Sequence, residues 1–376
     1  CKIMRASGAG NVNIAPFCWK ALWYKTKGNP KFFKPIARLL HMSLVQAAWW
    51  LDDAWIKEWK HATYQGPIFI LGHQRSGTTM AHRAMTKSRQ AVGATLAQMI
   101  MPAISLWRSG QAGLNLDAYW GGHVADWVRK KETAAFSTLE DMHHTRFGEV
   151  EEDEFFFWTL FASGMCANDS ASSMDNRALD FLRHPEEWSA NRRQLVWTWY
   201  EACLRKLAYF AYNTGSVELR PWVVAKNPAL SSRIPELLSI FPNARFIVLH
   251  RNPCRAIASR LCLIQQIWAA KKEGAVLRPR HVELIYQDSL KTYRSLERDV
   301  PSIPASRRLE LSTNLLKKDP DTALGLIERK FGIKITTPPS IPSRKRERHL
   351  EEFGLTTSRV HGDLSTMFNQ RAWDAA

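Results

Sequence analysis

Residues 67–79 read Pro-Ile-Phe-Ile-Leu-Gly-His-Gln-Arg-Ser-Gly-Thr-Thr. The apolar run Ile68-Phe69-Ile70-Leu71 has the length and composition of a buried strand. Gly72 and Gly77 punctuate the loop that follows, and Thr78–Met85 has helical character. A strand, a glycine loop and a helix in this order aim backbone N–H groups at one point, where an anion binds. The spacing from Gly72 to Gly77 is that of a phosphate-cradling loop. Such loops place a lysine directly after the second glycine to reach the β- and γ-phosphates of ATP, and here Thr78 stands in that position. Arg75 inside the loop and the hydroxyls of Thr78 and Thr79 are what it offers instead. The alternative is a plain strand–turn–helix crossing whose glycines only turn the chain.

Residues 241–261, FPNARFIVLHRNPCRAIASRL, repeat the pattern. Phe246–Leu249 reads as a second short strand, which leaves through His250, Arg251, Asn252 and Pro253 into a helix-like Arg255–Leu261. A guanidinium at the strand end offers forked donors to phosphate oxygens, and Ser259 adds a hydroxyl eight residues on.

These two segments, in this order, resemble the nucleotide-binding motifs of sulfotransferases that use PAPS (3′-phosphoadenylyl sulfate). The resemblance implies that Arg75, Ser76, Gly77, Thr78 and Thr79 hold the 5′-phosphosulfate, and that Arg251 and Ser259 bind the 3′-phosphate. Lys226-Asn227-Pro228 is similar to the lysine segment that precedes the second motif in that superfamily. Trp50-Leu51-Asp52-Asp53 through Gly66-Pro67, and Glu351 to Thr356, resemble the sulfotransferase family 3 group. Together they span roughly residues 45 to 370. The fold implied is α/β: a three-layer P-loop-like fold with a central, mostly parallel sheet flanked by helices. Alternating strands and helices along 221–331 agree with it. Ligands then belong at the carboxyl ends of the strands, where both motifs fall.

Sulfuryl transfer asks a protein for positioning and for stabilisation of charge on the departing phosphate. By resemblance to the catalytic lysine of tyrosylprotein sulfotransferases, Lys226 is expected to meet the oxygen between sulfur and phosphorus. A closing surface lysine is the alternative. The base is harder to place. Where related enzymes carry a glutamate, Val92–Gln98 holds no acid. Glu152 and Glu154 of the run Glu151-Glu152-Asp153-Glu154 are the candidates, ahead of His144 in the pair His143-His144. On a helix Glu151 and Glu154 share a face and Glu152 points elsewhere. The same acids, preceding Phe155–Trp158, also suit the first turn of a buried helix. The segment Leu311-Ser312-Thr313-Asn314-Leu315 lacks the tyrosine and acids common there in the family, and no metal-ligand cluster is present, so no metal is expected.

The chain of 376 residues carries a formal charge of +17. Residues 1–61 hold ten Lys/Arg against three Asp/Glu and form a basic, tryptophan-rich helical segment, with Pro30 and Pro35 breaking it early, ahead of a sulfotransferase domain at 62–376. Aromatics in this segment either pack on the core or lie at a membrane interface. The charge fits a polyanionic donor, an anionic membrane surface, an acidic glycan acceptor or plain solubility. No nucleic-acid motif accompanies it, so no nucleic-acid partner is expected. Six cysteines form no CxxC pair, and no run of eighteen apolar residues occurs. Beginning at Cys1 rather than Met, the sequence is expected to be trimmed, which withholds its targeting signal. A cytoplasmic or peripherally membrane-associated place is expected, with the Golgi lumen as the other. The reading is transfer of a sulfuryl group from PAPS to a hydroxyl of a lipid, glycan or small metabolite. The alternatives are a P-loop kinase and a silent sulfotransferase-like protein that binds anionic membranes or glycans.

Overall fold

The computed structural model describes residues 33–136, 145–218, 220–270, 276–335 and 348–370. Five parallel strands form one sheet: β1 (Gln65–Gly72), β2 (Ala91–Val92), β3 (Trp222–Lys226), β4 (Arg245–His250) and β5 (Arg308–Ser312), in the order β2-β3-β1-β4-β5. The expected α/β architecture is present, and the sheet is wholly parallel.

Strand β1 lies at the centre, and its side chains alternate between two cores. Ile68 and Ile70 pack with Ala81, Ala84 and Met85 of helix Thr78–Met85. Phe69 and Leu71 face the other way, into a cluster that includes Trp199 and Tyr200 of helix Ala190–Asn213. Burial on both faces explains why β1 reads as a continuous apolar run rather than an alternating one. This is the three-layer arrangement.

Helix Phe33–Trp55 begins with Pro35 in its first turn. The expected break at Pro35 is therefore a start, since proline is tolerated where no intrahelical N–H bond is made. Trp49 stacks on Trp199 at a centroid distance of 4.2 Å, and Trp59 is fully buried beside them. Trp50 and Trp55 of the same stretch face outward. Residues 1–32 of the basic segment, with Cys1 and Cys18, lie outside the described residues.

Asp52 is the anchor of this corner. Its buried carboxylate accepts the N–H groups of Ile104 (2.7 Å) and Ser105 (2.8 Å), capping helix Ile104–Tyr119, and it pairs with the buried Lys206 ammonium at 2.8 Å. The ammonium also sits 3.4 Å from the Trp49 ring centroid. Burial lowers the Lys206 pKa, and Asp52 opposes that.

Candidate active site

The loop after β1 is shaped by close approach. A Cβ on Gly72 would lie 2.5 Å from the Leu249 carbonyl oxygen of β4, and Gly72 itself has φ +145°. Only glycine fits there. Arg75, at φ 72°, holds the left-handed conformation without being glycine, a strained backbone that its contacts keep in place. Its carbonyl accepts a 2.6 Å hydrogen bond from the Arg251 guanidinium, and its own Nε donates to the Ser259 hydroxyl at 3.3 Å. The Thr313 hydroxyl, at the start of helix Thr313–Lys318 directly after β5, meets both the Ser76 carbonyl (2.7 Å) and the His250 carbonyl (2.9 Å). The ends of β1, β4 and β5 are thus tied together around the loop. Arg75, Arg251 and Ser259, far apart in sequence, meet in one place.

Helix Thr78–Met85 starts directly behind the loop, so its first amide groups point into it. The Ser76 hydroxyl and His73 Nε2 are buried and have no hydrogen-bond partner among the described residues. His73 stacks on Tyr293 at 4.7 Å. Burial, then the charge of Arg260, pushes its pKa down to about 3, so the ring is neutral near pH 7. Unpartnered polar atoms beside amide donors fit a ligand that carries phosphate or sulfate oxygens.

Lys226 ends β3, fully buried rather than on the surface. Its ammonium donates to the Thr79 hydroxyl at 3.0 Å and pairs with Glu152 at 2.8 Å. The four adjacent acids do not form the first turn of a helix, because the helix begins only at Glu154. Each takes a different partner. Glu151 pairs with Arg83 at 3.1 Å, and Glu152 with Lys226. Asp153 accepts from the Tyr200 hydroxyl, and Glu154 accepts from Ser163 (2.5 Å) and Asn227 (2.8 Å). Burial raises the pKa of both Asp153 and Glu154 to about 7, against the pull of those hydrogen bonds. Glu154 is a buried strut, whereas Glu152 stays partly exposed beside Lys226.

A cleft of about 1700 Å³ opens over this arrangement. Arg75, Thr78, Thr79, Glu152 and Glu154 line it, and Phe155, Phe157, Trp158, Leu96 and Ile100 give it an apolar wall. Lys226, Arg251 and Ser259 do not line it; they reach its edge through Thr79, Glu152 and Arg75. His144 lies outside the described residues. Three participants escape the sequence reading: Thr313, His73 and Ser231, whose hydroxyl bonds both the N–H (2.9 Å) and the carbonyl (3.0 Å) of Gly72. Ser231 lies just past Lys226-Asn227-Pro228, and that proximity is the one signal that could have found it.

A central parallel sheet with a glycine loop at one strand end and an arginine–serine pair at the next defines a P-loop-like fold. The model described as "Sulfotransferase family" matches residues 67–337, and the chain belongs to that family. It is similar to the omega-hydroxy-beta-dihydromenaquinone-9 sulfotransferase Stf3 of Mycobacterium bovis, 24% identical over 268 residues that cover 71% of this chain. The match spans 63% of the length of that relative. Among solved structures, sulfotransferase STF9 from Mycobacterium avium superposes with a TM-score of 0.66 at 16% identity, covering 93% of this chain and 88% of that one. Sulfotransferase STF1 from Mycobacterium tuberculosis H37Rv gives 0.61 at 20% identity, covering 97% and 96%. At these identities the likeness establishes the fold. Among the described residues no helix is long and apolar enough to cross a membrane.

Proposed function

We propose that the chain transfers a sulfuryl group from PAPS to a hydroxyl group, on a lipid in preference to a glycan or a small metabolite. The observation that carries this reading is the meeting of Arg75, Arg251 and Ser259 beside a loop with no Walker lysine. Arg75 and the amides of Ser76 to Thr79 would hold the 5′-phosphosulfate. Arg251 and Ser259 would turn from Arg75 to the 3′-phosphate. Lys226, already on Thr79, would follow charge onto the phosphate oxygen that loses its bond to sulfur. Glu152 is the base: it lines the cleft and stays partly exposed beside Lys226, whereas Glu154 is buried between Ser163 and Asn227. It would take the acceptor's hydroxyl proton as the oxygen attacks sulfur, and adenosine 3′,5′-bisphosphate would leave. The apolar cleft wall supports a lipid acceptor, as does the omega-hydroxy-beta-dihydromenaquinone-9 for which the Stf3 relative is named.

Transfer of labelled sulfate from PAPS to a lipid extract tests the activity. Thermal unfolding with adenosine 3′,5′-bisphosphate tests the donor site: the wild type should be stabilised by mass action, and Arg75→Ala and Arg251→Ala should each abolish the shift. Stabilisation by ATP with magnesium, and none by the bisphosphate, would instead favour a kinase.

A further inference from the structure

Helices Ile104–Tyr119 and His123–Phe136 form a hairpin, and from Arg108 to Lys131 not one residue is buried. Its sequence is nonetheless apolar at the far end. Leu114, Leu116, Tyr119, Trp120, Val124 and Trp127 are each more than half exposed. Exposed aromatics grouped like this on a soluble face are a cost that needs a partner. The tip is also a built structure. Gly121 and Gly122 turn the chain with positive φ, and the Asp117 carboxylate accepts the N–H groups of Val124 (2.9 Å) and Ala125 (2.8 Å). Arg108, Arg129, Lys130 and Lys131 lie between tip and body. At the root, the buried Glu132 carboxylate accepts the N–H of Phe147, a residue that lines the cleft.

We propose that this hairpin docks the protein on an anionic lipid bilayer, with the Tyr119-Trp120 tip in the headgroup layer and Arg108, Lys130 and Lys131 against lipid phosphates, Arg129 being paired with Asp126. Tryptophan and tyrosine favour that layer because one end of the ring system is apolar and the other hydrogen-bonds. Charge selects the occupant. Two copies of a +17 chain repel each other as they approach, whereas an anionic surface attracts each of them. The surface is distinct from the tryptophan-rich segment before residue 62. Through Glu132 and Phe147 the root of the hairpin is joined to the lining of the cleft.

The test floats the full chain with vesicles of phosphatidylcholine containing phosphatidylglycerol, and with phosphatidylcholine alone. No nucleotide is added, so the result is independent of sulfuryl transfer. The chain should bind the anionic vesicles and release with added salt. A Trp120→Ser, Trp127→Ser double variant should bind at least about tenfold more weakly. Lys130→Gln with Lys131→Gln should weaken binding to the anionic vesicles about tenfold. Both variants should keep the wild-type unfolding midpoint, since the altered side chains are exposed. The proposal is overturned if the tryptophan variant floats like the wild type, or if the wild type fails to float. It is equally overturned if light scattering shows a wild-type dimer that the tryptophan variant dissolves, for the tip would then serve a second copy.

Discussion

Two glutamates two positions apart have opposite circumstances. Glu152 faces the cleft and touches Lys226, while Glu154 is buried between Ser163 and Asn227. Glu152→Gln should therefore lower turnover by about a hundredfold or more and leave nucleotide binding intact. Glu154→Gln should act on stability instead, and a turnover loss equal to that of Glu152→Gln would exchange their roles. A pH series reads the same contrast. The folded-state pKa of Glu154 is raised from 4.5 to about 7, and that of Asp153 from 3.8 to about 7. Between the two values the folded chain binds more protons than the unfolded one. Stability therefore falls as pH rises from about 4 to about 7, with no further loss from these groups above that range. The unfolding midpoint of Glu154→Gln should decline less steeply over that window than that of the wild type. Neither assignment was legible in the run of four acids. Their partners, Arg83, Lys226, Tyr200, Ser163 and Asn227, come from other elements, and adjacency in sequence says nothing about them. The arginines were legible, because a strand end and a glycine loop fix where such side chains must stand.

At the scale of elements, Asp52 joins two helices and a buried lysine. Removing it by Asp52→Ala strands the Lys206 ammonium in an apolar corner and uncaps helix Ile104–Tyr119. A loss of about 3–5 kcal/mol is expected in urea unfolding. A loss within about 0.5 kcal/mol would mean that water replaces the carboxylate there. Thr313 is the other joint. Thr313→Val keeps the shape but removes the hydroxyl from the Ser76 and His250 carbonyls, with an expected cost of about 1–3 kcal/mol and weaker nucleotide stabilisation. The longer strands and helix Pro253–Ala270 were readable because continuous apolar runs and helical spacing are local properties, whereas the two-residue β2 was not. Helix Ala190–Asn213 shows such spacing at Leu195, Trp199, Leu204 and Ala208. The Thr313 strut was not readable. It closes a contact between segments more than two hundred residues apart, and the resemblance pointed only to acids that this chain lacks there.

Over the whole molecule, charge sets the conditions of binding. With +17 overall, stabilisation by adenosine 3′,5′-bisphosphate should shrink as sodium chloride rises, because screening reduces the attraction of the dianionic ends before they reach the loop. An unfolding shift that does not respond to salt would show that local hydrogen bonds alone hold the nucleotide. The family and its fold were legible from two motifs because both sit on the sheet's central strands, β1 and β4. The apolar wall of the cleft was not, since helices from distant stretches assemble it.

The position of β1 between β3 and β4 has a consequence for biosynthesis. A ribosome that has not yet reached Trp222 has already released Ile68–Leu71 without either neighbour it will hydrogen-bond to. The central strand is thus the earliest made, and it waits for both of its neighbours. Synthesis pauses or truncations before that point should therefore yield chains that aggregate or depend on chaperones, while those past His250 should not.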